Sequence, residues 1–333
     1  MISRSISNTD GLCAIALNIS DRESVIVFYF KLYSFGDYAT RDADFYDSHS
    51  QTNTAYIMAN YANSNVLVDT QWLTEHLNDS NLVIIETDLD SKAYEGEHIP
   101  KCIFLSTFAL LLPNLRTNFN IAAMENLLSD SGLSNDSTVV AVHRNYVGTS
   151  GWIFWLLKTF GHQDVRILDG GFTKWQQEGR STTDRPTAVT KTNYQIKAID
   201  YSLRISGEEV KQHVQRQDAL LLDVRTPQEY RGEIYLQKPP KKHERAGHIP
   251  SAVNFYYELA HNDDGTFKTA SQLQQLYSDA GVTADRLIIP YCAIGARSAH
   301  TWFILKYLLG YAQVKNYDGS WNEWSKLEDA PIA

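Results

Sequence analysis

The amino-acid sequence contains two copies of one pattern, separated by an offset of 149 residues. The segment from Phe160 to Trp175 resembles the segment from Leu309 to Trp324. A repeat of this length has the size of a complete domain, so the pattern predicts two similar domains. We define the first repeat as residues 66–180 and the second repeat as residues 201–333. The positions that match at an offset of 149 are Gly161/Gly310, Val165/Val314, Asp169/Asp318, Gly170/Gly319 and Trp175/Trp324. The tripeptides His98-Ile99-Pro100 and His248-Ile249-Pro250 match at an offset of 150.

Two segments lie outside the repeats. Residues 181–200 begin with a stretch that is rich in Thr, Ser and Pro and has no apolar periodicity, which predicts a linker. Residues 1–60 match neither repeat, and their composition indicates no particular fold. We therefore treat residues 1–60 as an N-terminal extension of unknown structure.

Inside each repeat, short apolar runs alternate with helical patterns. Such alternation predicts an α/β fold, with two tandem domains that each contain a mainly parallel sheet flanked by helices. Ligands bind such sheets beyond the carboxyl ends of the strands, where each strand leads into a helix. The predicted strands are 82–86, 139–142, 219–224 and 287–291, and the predicted helices are 152–158 and 301–309, ended by Gly161 and Gly310.

The composition excludes several classes of protein. Hydrophobic residues form 43% of the chain and charged residues 21%, as in ordinary globular domains. The net charge of −9 argues against binding to nucleic acid or to an anionic membrane. Cys13, Cys102 and Cys292 are too widely spaced for a disulfide framework or a zinc site, and we expect no metal and no cofactor. Because the sequence has neither a transmembrane run nor a signal-peptide pattern, we expect a cytoplasmic protein.

One loop carries residues that are typical of a catalytic, anion-binding site. It begins with Cys292, directly after the predicted strand 287–291, and ends with Arg297 at the start of a helix. Backbone N–H groups that curl around such a loop bind anions and lower the pKa of a thiol inside it. Gly295 allows a close approach, and Ser298 is predicted to cap the first helical turn. The loop amides expected to line this anion site are those of Ala293, Ile294, Gly295 and Ala296.

Four motifs identify a resemblance to a known family. They are Leu222-Asp-Val-Arg-Thr-Pro-Gln-Glu-Tyr230, Gly247-His-Ile-Pro-Ser-Ala-Val-Asn254, the Cys-Ala-Ile-Gly-Ala-Arg loop at 292–297 and Asn316-Tyr-Asp-Gly-Ser-Trp321. Over about residues 66–333 the chain resembles the two-domain rhodanese sulfurtransferases, which use thiosulfate or 3-mercaptopyruvate. In that family the second domain carries a nucleophilic cysteine and the first domain is catalytically silent.

The resemblance implies that Cys292 takes a sulfane sulfur from a small anionic donor and passes it, as a persulfide, to a thiol or to cyanide. The position equivalent to Cys292 in the first repeat is His143, whose imidazole cannot form a persulfide. The first repeat is therefore expected to be inactive.

The resemblance also suggests which cations bind the donor. Arg225 matches the place of a substrate-binding arginine in the family, Arg297 ends the loop, and Arg231 is a weaker candidate. A surface ion pair with Glu229 or Glu233 is the alternative reading for Arg225 and Arg231. The basic stretch 238–245 either steers anions toward the site or is a solvated loop.

Three functional alternatives remain open on the sequence. The loop carries Ala293 and Ile294 where thiosulfate-preferring members often have basic side chains. We favour thiosulfate as the donor, and 3-mercaptopyruvate is the alternative. A related cysteine-dependent phosphatase would place five residues between the cysteine and the arginine, whereas four separate Cys292 from Arg297. The third alternative is a rhodanese-like module that binds without catalysis, which the intact cysteine loop opposes.

Overall fold

The computed structural model describes residues 60–236 and 238–333, together with the backbone of two strands nearer the N-terminus. These strands are β1 (Leu12–Leu17) and β2 (Ile26–Lys31), and they pair in antiparallel fashion. Both lie within the extension 1–60. The other residues up to 59 lie outside the described part of the chain.

The first repeat is built on a five-stranded sheet. Its strands are β3 (Leu67–Val68), β4 (Leu82–Asp88), β5 (Cys102–Ser106), β6 (Thr138–Val142) and β7 (Val165–Leu168). Its helices are α1 (Thr70–His76), α2 (Lys92–Gly96), α3 (Ile121–Asp130), α4 (Gly148–Thr159) and α5 (Gly171–Gln177). The strands follow the order β3-β7-β6-β4-β5 and every neighbouring pair is parallel, with Ile84 opposite Val140 at the centre.

The second repeat has the same arrangement with shorter outer strands. Its strands are β8 (Ala219–Asp223), β9 (Val253–Asn254) and β10 (Leu287–Tyr291). Its helices are α6 (Gly207–Arg216), α7 (Pro227–Tyr230), α8 (Ala270–Asp279), α9 (Ala296–Phe303), which continues as a π-helix over Ile304–Leu308, and α10 (Ser320–Trp324). The parallel order is β10-β8-β9. Parallel bridges from Ile288 to Val314 and from Arg204 to Asn316 stand where the first repeat has β7 and β3.

This architecture confirms the predicted α/β class with two tandem domains. The predicted strand 287–291 has the bounds of β10, and the predicted helix 152–158 lies inside α4. Gly161 and Gly310 follow the helices with φ of 81° and 73°, a left-handed conformation that glycine adopts without strain. Residues 181–200, all of them described, contain neither helix nor strand apart from a bridge between Thr183 and His98.

The strands are apolar on both faces because each sheet separates two cores. In β6, Val140 faces the outer core of the first repeat, whereas Val139 faces a core that both repeats share. In β10, Ile289 faces the outer core of the second repeat and Ile288 the shared core. Parallel sheets covered on both sides give such continuous apolar runs.

The two repeats meet along α4 and α9, where equivalent positions face each other. A Cβ added to Gly148 would lie 3.2 Å from Arg297 Cα, and one added to Gly151 would lie 2.5 Å from His300 Cα. Gly148 and Arg297 are related by the repeat offset of 149, as are Gly151 and His300. The helices therefore cross as an approximate twofold pair, and glycine in α4 permits the close approach.

Reciprocal loops fasten the repeats together. The Phe267 N–H donates to the buried Asp169 carboxylate at 2.8 Å, and Lys174 pairs with Asp264 at 2.9 Å. On the other side of the interface, the amide of Asn322 donates to the Asn114 carbonyl at 2.9 Å, and Arg116 pairs with Glu323 at 2.6 Å. Each repeat thus inserts a loop against the matching segment, 160–175 or 309–324, of the other repeat.

Candidate active site

Cys292 lies directly beyond the carboxyl end of β10, at the position that the fold predicts for a ligand site. The loop that follows turns back into α9 through Gly295, which has a φ of 99°. A Cβ at Gly295 would lie 2.5 Å from the Asp318 carbonyl oxygen, so only glycine fits. The Cys292 side chain is almost completely buried.

Hydrogen-bond donors converge on the sulfur. The Gly295 N–H donates to Cys292 Sγ at 3.1 Å. The Ser320 hydroxyl lies 3.9 Å from the same sulfur and accepts the Cys292 N–H at 2.9 Å. Ser320 has a φ of 50°, an uncommon conformation for a residue with a side chain. The structure thus adds Ser320, which lies inside the repeated segment but was not singled out from the sequence.

The surroundings of Cys292 favour the thiolate. Burial acts to raise the pKa of the thiol, but the positive charge of Arg297 and the donors of Ser298 and Ile294 outweigh burial and lower the pKa below its usual value. The aligned N–H groups at the start of α9 add a positive potential of the same sign. A cysteine in this setting is ionised at a lower pH than a free thiol.

Ser298 does not have its predicted role. The residue that caps α9 is Gly295, and no side chain caps the helix. Ser298 lies inside the first turn, fully buried, and its hydroxyl donates to the Gly295 carbonyl at 3.0 Å. The helix begins three residues earlier than the capping pattern suggested, which places the hydroxyl close to the thiol instead.

Arg297 forms a two-pronged ion pair with Glu229. Each terminal guanidinium nitrogen donates to one carboxylate oxygen at 2.8 Å. Although burial acts to raise it, the pKa of Glu229 is lowered to about 2, chiefly by the charge of Arg297. Glu229 also accepts from Thr226 and completes a capping box at the start of α7. From the sequence, Glu229 was expected only as an alternative surface ion-pair partner of Arg225 or Arg231.

Arg225 is held by partners within the protein. Its guanidinium is buried, pairs with Asp223 at 2.6 Å and donates to the Gly247 carbonyl at 2.8 Å. It also stacks 4.6 Å from the centre of the Trp321 ring. Arg225 is not among the residues that line the cavity above Cys292. This placement favours a structural role over the donor-binding role expected from the sequence, because its donors already have internal partners.

Arg231 and the basic stretch 238–245 also lie outside the cavity lining. The Arg231 side chain is 54% exposed and pairs with Glu233 at 2.7 Å, as the surface alternative predicted. Arg245 donates to the Leu327 and Ala330 carbonyls and thereby fixes the end of the basic stretch. Of the three candidate arginines, the structure brings Arg297 alone to the thiol.

A cavity of about 490 Å³ opens above Cys292. Both repeats contribute to its walls, so the site is complete only at the interface. Its lining consists of Leu89, Thr107, Phe108, Leu111, Leu115, Tyr146, Gly148 and Thr149 from the first repeat and Thr226, Glu229, Ile234, Leu236, Tyr256, Tyr257, Glu258, Cys292, Ala293, Ile294, Ala296 and Arg297 from the second. Sequence patterns did not indicate the first-repeat residues, because their proximity depends on how the two repeats pack.

The equivalent place in the first repeat holds no thiol. His143 follows β6 as Cys292 follows β10, and its Nδ1 lies 3.1 Å from the Ser150 hydroxyl. Burial lowers the pKa of His143 to about 3, so its imidazole is neutral at physiological pH. The side chain is buried and belongs to the domain interface.

Within residues 60–236 and 238–333, no group of three His, Cys, Asp or Glu side chains could hold a metal ion. Every helix in that same part of the chain is too short or too polar to span a bilayer.

The fold and the loop define a tandem α/β protein with a buried cysteine of lowered pKa in its second domain. Residues 69–178 and 206–327 both match the rhodanese-like domain family. The chain belongs to this family, in its two-domain sulfurtransferase form.

Relatives match along most of their length. A putative thiosulfate sulfurtransferase of Saccharopolyspora erythraea is 42% identical over 80% of this chain and 95% of its own. The sulfur carrier protein TtuD of Thermus thermophilus is 42% identical over 82% of this chain and 98% of its own.

Solved structures confirm the architecture. The anaerobic ergothioneine biosynthesis enzyme of Chlorobium limicola superposes with a TM-score of 0.74, covering 82% of this chain and 71% of that enzyme. The two sequences are 22% identical, so this similarity concerns the fold alone.

Proposed function

We propose that the protein transfers a sulfane sulfur from thiosulfate to a thiophilic acceptor, a thiol or cyanide, through a persulfide on Cys292. The observation that carries the proposal is a thiol with a lowered pKa at the floor of a cavity, held beneath N–H donors and Arg297. Relatives named as putative thiosulfate sulfurtransferases support the choice of donor.

In the first half of the reaction, the Cys292 thiolate attacks the outer sulfur of thiosulfate. A bond forms between Sγ and that sulfur, the sulfur–sulfur bond of the donor breaks, and sulfite leaves with the bonding electron pair. One dianion and one thiolate are consumed, and one dianion and one persulfide anion are formed. No proton, oxidant or reductant is required.

In the second half, the acceptor attacks the outer sulfur of the persulfide. Cyanide leaves as thiocyanate, or a thiolate leaves as a persulfide, and the Cys292 thiolate is regenerated. The acceptor attacks as an anion and Cys292 leaves as a thiolate with the electron pair of the broken sulfur–sulfur bond, so the step needs stabilisation of negative charge rather than a general base. The Gly295 N–H and the start of α9 supply that stabilisation from positions fixed before the substrate arrives.

Arg297 acts on the sulfur through its charge. Its ion pair with Glu229 holds the guanidinium in place, so the positive potential at the loop does not depend on a mobile side chain. The first repeat supplies a wall of the cavity and no nucleophile, because His143 occupies the place of the thiol.

The test is sulfur transfer by purified Cys292→Ser, measured as thiocyanate formation from thiosulfate and cyanide. We expect no activity, because a serine hydroxyl is not ionised at neutral pH and cannot form a persulfide. Mass spectrometry after thiosulfate treatment should find one added sulfur atom on the wild-type peptide that contains Cys292.

Cys102→Ala is the matched control, because Cys102 is a buried free thiol whose pKa is raised by burial. We expect this variant to keep its activity. Retained transfer in Cys292→Ser would contradict the proposal. Parallel kinetics with 3-mercaptopyruvate test the alternative donor, which a higher kcat/KM for that compound would favour.

A further inference from the structure

Each repeat buries one carboxylate near the carboxyl end of an equivalent strand. In the second repeat, Asp223 at the end of β8 lies opposite Tyr291 of β10. In the first repeat, Glu86 of β4 lies opposite Val142 of β6. Val142 and Tyr291 are related by the repeat offset of 149, so Glu86 and Asp223 occupy equivalent places. Both carboxylates are almost completely inaccessible to water, and a carboxylate in such a place is costly without a paired cation.

An arginine in each repeat pairs with this carboxylate through the same three kinds of contact. In the first repeat, Arg144 donates to both oxygens of Glu86, at 2.6 and 3.0 Å, and to the Glu97 carbonyl at 2.6 Å. Its guanidinium carbon lies 3.6 Å from the centre of the Phe172 ring. In the second repeat, Arg225 has the equivalent partners. The equivalent pairs are Glu86/Asp223, Glu97/Gly247 and Phe172/Trp321.

The two arginines come from loops that are not equivalent. Arg225 follows β8, two residues after the carboxylate that it pairs with. Arg144 follows β6 and His143, so it belongs to the loop that corresponds to the one beginning with Cys292. The residue equivalent to Arg144 in the second repeat is Ala293, which has no charge to offer. The arginine thus ties down the loop after β6, whereas the equivalent loop of the second repeat is left to surround the thiol.

The tied loop of the first repeat, residues 143–148, reaches the active site of the second. Asn145 adds a second tie, since its amide donates to the Asp88 carboxylate at 2.8 Å. Tyr146 stands at the place of Gly295 without the positive φ of that glycine, so this loop does not turn as the Cys292 loop does. Tyr146 and Gly148 instead line the cavity above the thiol.

We infer that the loop 143–148 of the first repeat serves the active site of the second repeat, and that Arg144 is the positioning residue that holds this loop in the cavity wall. The inference rests on the proposed sulfur transfer and gives the repeat without a thiol a part in it. Arg144 does not line the cavity itself and acts through Tyr146. Arg225 pairs with the equivalent carboxylate in the second repeat, which leaves the Cys292 loop free of this task.

The experiment moves the arginine within the first repeat of the full-length protein. Arg144→Ala leaves Glu86 buried without its cation and should lower the melting temperature by at least about 5 °C. It also frees the loop, so the KM for thiosulfate should rise at least about threefold. The kcat in the cyanide assay should stay within about twofold, because Cys292 and the amides of its own loop are untouched.

The double variant Asp88→Arg with Arg144→Ala separates positioning from stability. It places an arginine two residues after Glu86, as Arg225 is placed after Asp223 in the second repeat. This arginine should restore at least half of the lost melting temperature, because the carboxylate is paired again. It does not tie the loop, so the KM should stay raised. A merely structural role for Arg144 predicts that KM and melting temperature recover together.

A milder variant and a matched control complete the set. Asn145→Ala removes the second tie at an exposed residue, so it should raise KM while leaving the melting temperature unchanged. It decides the question alone if the Arg144 variants do not fold. Arg166→Ala is the control, because Arg166 forms a two-pronged pair with Asp164 in the first repeat and lies outside the cavity lining. Its KM should equal that of the wild type.

The pKa of the Cys292 thiol, measured from the pH dependence of alkylation, should be the same in all these variants. A raised thiol pKa in Asn145→Ala or in the double variant would trace the change in KM to the thiol and overturn the inference. Wild-type turnover with a KM that is unchanged in Asn145→Ala, or that recovers with melting temperature in the double variant, overturns the inference and leaves the proposed sulfur transfer intact. No turnover of thiosulfate by the wild type overturns the proposed function and the inference together.

Discussion

Arg297 and Glu229 hold each other through two parallel hydrogen bonds of 2.8 Å, joining the loop that begins at Cys292 to the start of α7. The pair is partly buried, with the carboxylate almost inaccessible to water. Two consequences follow. The pair fixes the position of a positive charge that lowers the pKa of the Cys292 thiol, and it neutralises a carboxylate that would be costly to bury alone.

Replacing Arg297 should therefore affect both reactivity and stability. In Arg297→Gln the pKa of the Cys292 thiol rises, and the unpaired Glu229 lowers the free energy of unfolding by about 3–5 kcal/mol. Arg297→Lys keeps the charge but not the two-pronged geometry, so it should recover part of both. The measurements are the pH dependence of iodoacetamide alkylation and denaturant unfolding.

A double variant separates the two effects. Glu229→Gln together with Arg297→Gln removes the buried charge and should regain most of the stability lost in Arg297→Gln. The thiol pKa should stay raised, because the positive charge is still missing. An unaltered thiol pKa in Arg297→Gln would show that the loop amides alone activate Cys292.

Arg225 gives a contrasting prediction. It is buried with Asp223 and the Gly247 carbonyl, outside the cavity lining. Arg225→Ala should lower the free energy of unfolding by about 3–5 kcal/mol, because Asp223 is then buried without its partner. The kcat/KM for sulfur donors should change less than about threefold, since a lost charged hydrogen bond to the donor would cost about tenfold or more. A large rise in KM at unchanged melting temperature would restore the donor-binding role.

The sequence predicted what depends on local pattern. The alternation of apolar strands and helices placed β10 and α4, and the strand–Cys–Gly–Arg–helix order placed Cys292 at the carboxyl edge of the sheet. Gly295 was expected to permit a close approach, and the Asp318 carbonyl is the group that it approaches. These features are encoded within one repeat, so no knowledge of packing between repeats was needed.

Features that depend on contacts between distant segments could not be predicted from the sequence. Arg225 and Glu229 are four residues apart, and a surface ion pair between them was one alternative to the donor-binding role predicted for Arg225. In the structure each is buried with a different partner, Asp223 and Arg297. A charge pattern gives the sign of possible partners but does not indicate which of them the fold buries. The first-repeat wall of the cavity was missed for the same reason.

The buried His143 and His300 and the half-buried His261 lie near one another at the domain interface and predict a pH dependence of stability. His261 Nδ1 faces the Gly265 carbonyl and must carry the hydrogen, so His261 Nε2 accepts from His300 Nε2 at 2.8 Å. His300 Nδ1 has no hydrogen-bond partner in the described part of the chain. Burial lowers the pKa of His261 to about 4 and that of His143 to about 3, and it lowers the pKa of His300 as well.

The sign follows from proton uptake. A histidine in the unfolded chain takes up a proton below about pH 6.5, whereas folded His261 does so only near pH 4. Because the unfolded chain then binds more protons, the free energy of unfolding falls as the pH falls. Each such histidine lowers the free energy of unfolding by about 1.4 kcal/mol for every pH unit in this window. The buried Asp169, whose pKa is raised to about 7 chiefly by burial, acts in the opposite direction, so a difference between variants is needed.

The informative quantity is the stability of the wild type minus that of His261→Gln, measured by denaturant unfolding from pH 7.5 to pH 4.5. We expect the wild type to be the more stable at pH 7.5 and the difference to narrow steadily below pH 6.5. His243→Gln, at an exposed histidine, serves as the control and should show no such narrowing. A difference that is constant with pH would mean that His261 gains its proton as easily in the folded protein as in the unfolded chain.

The crossing of α4 and α9 gives the last prediction. A methyl group at Gly151 would lie 2.5 Å from His300 Cα, a backbone atom that cannot move aside without displacing α9. Gly151→Ala should lower the free energy of unfolding by at least about 3 kcal/mol, at the upper end of the cost of overpacking. Since the cavity has walls from both repeats, kcat/KM should fall as well. Adding His300→Ala should not rescue the variant, because the closest atom remains.

Gly96→Ala is the control, since a Cβ there meets no atom within 4 Å, and it should change stability by no more than about 1 kcal/mol. Equal melting temperatures for Gly151→Ala and Gly96→Ala would show that the two helices can move apart without cost.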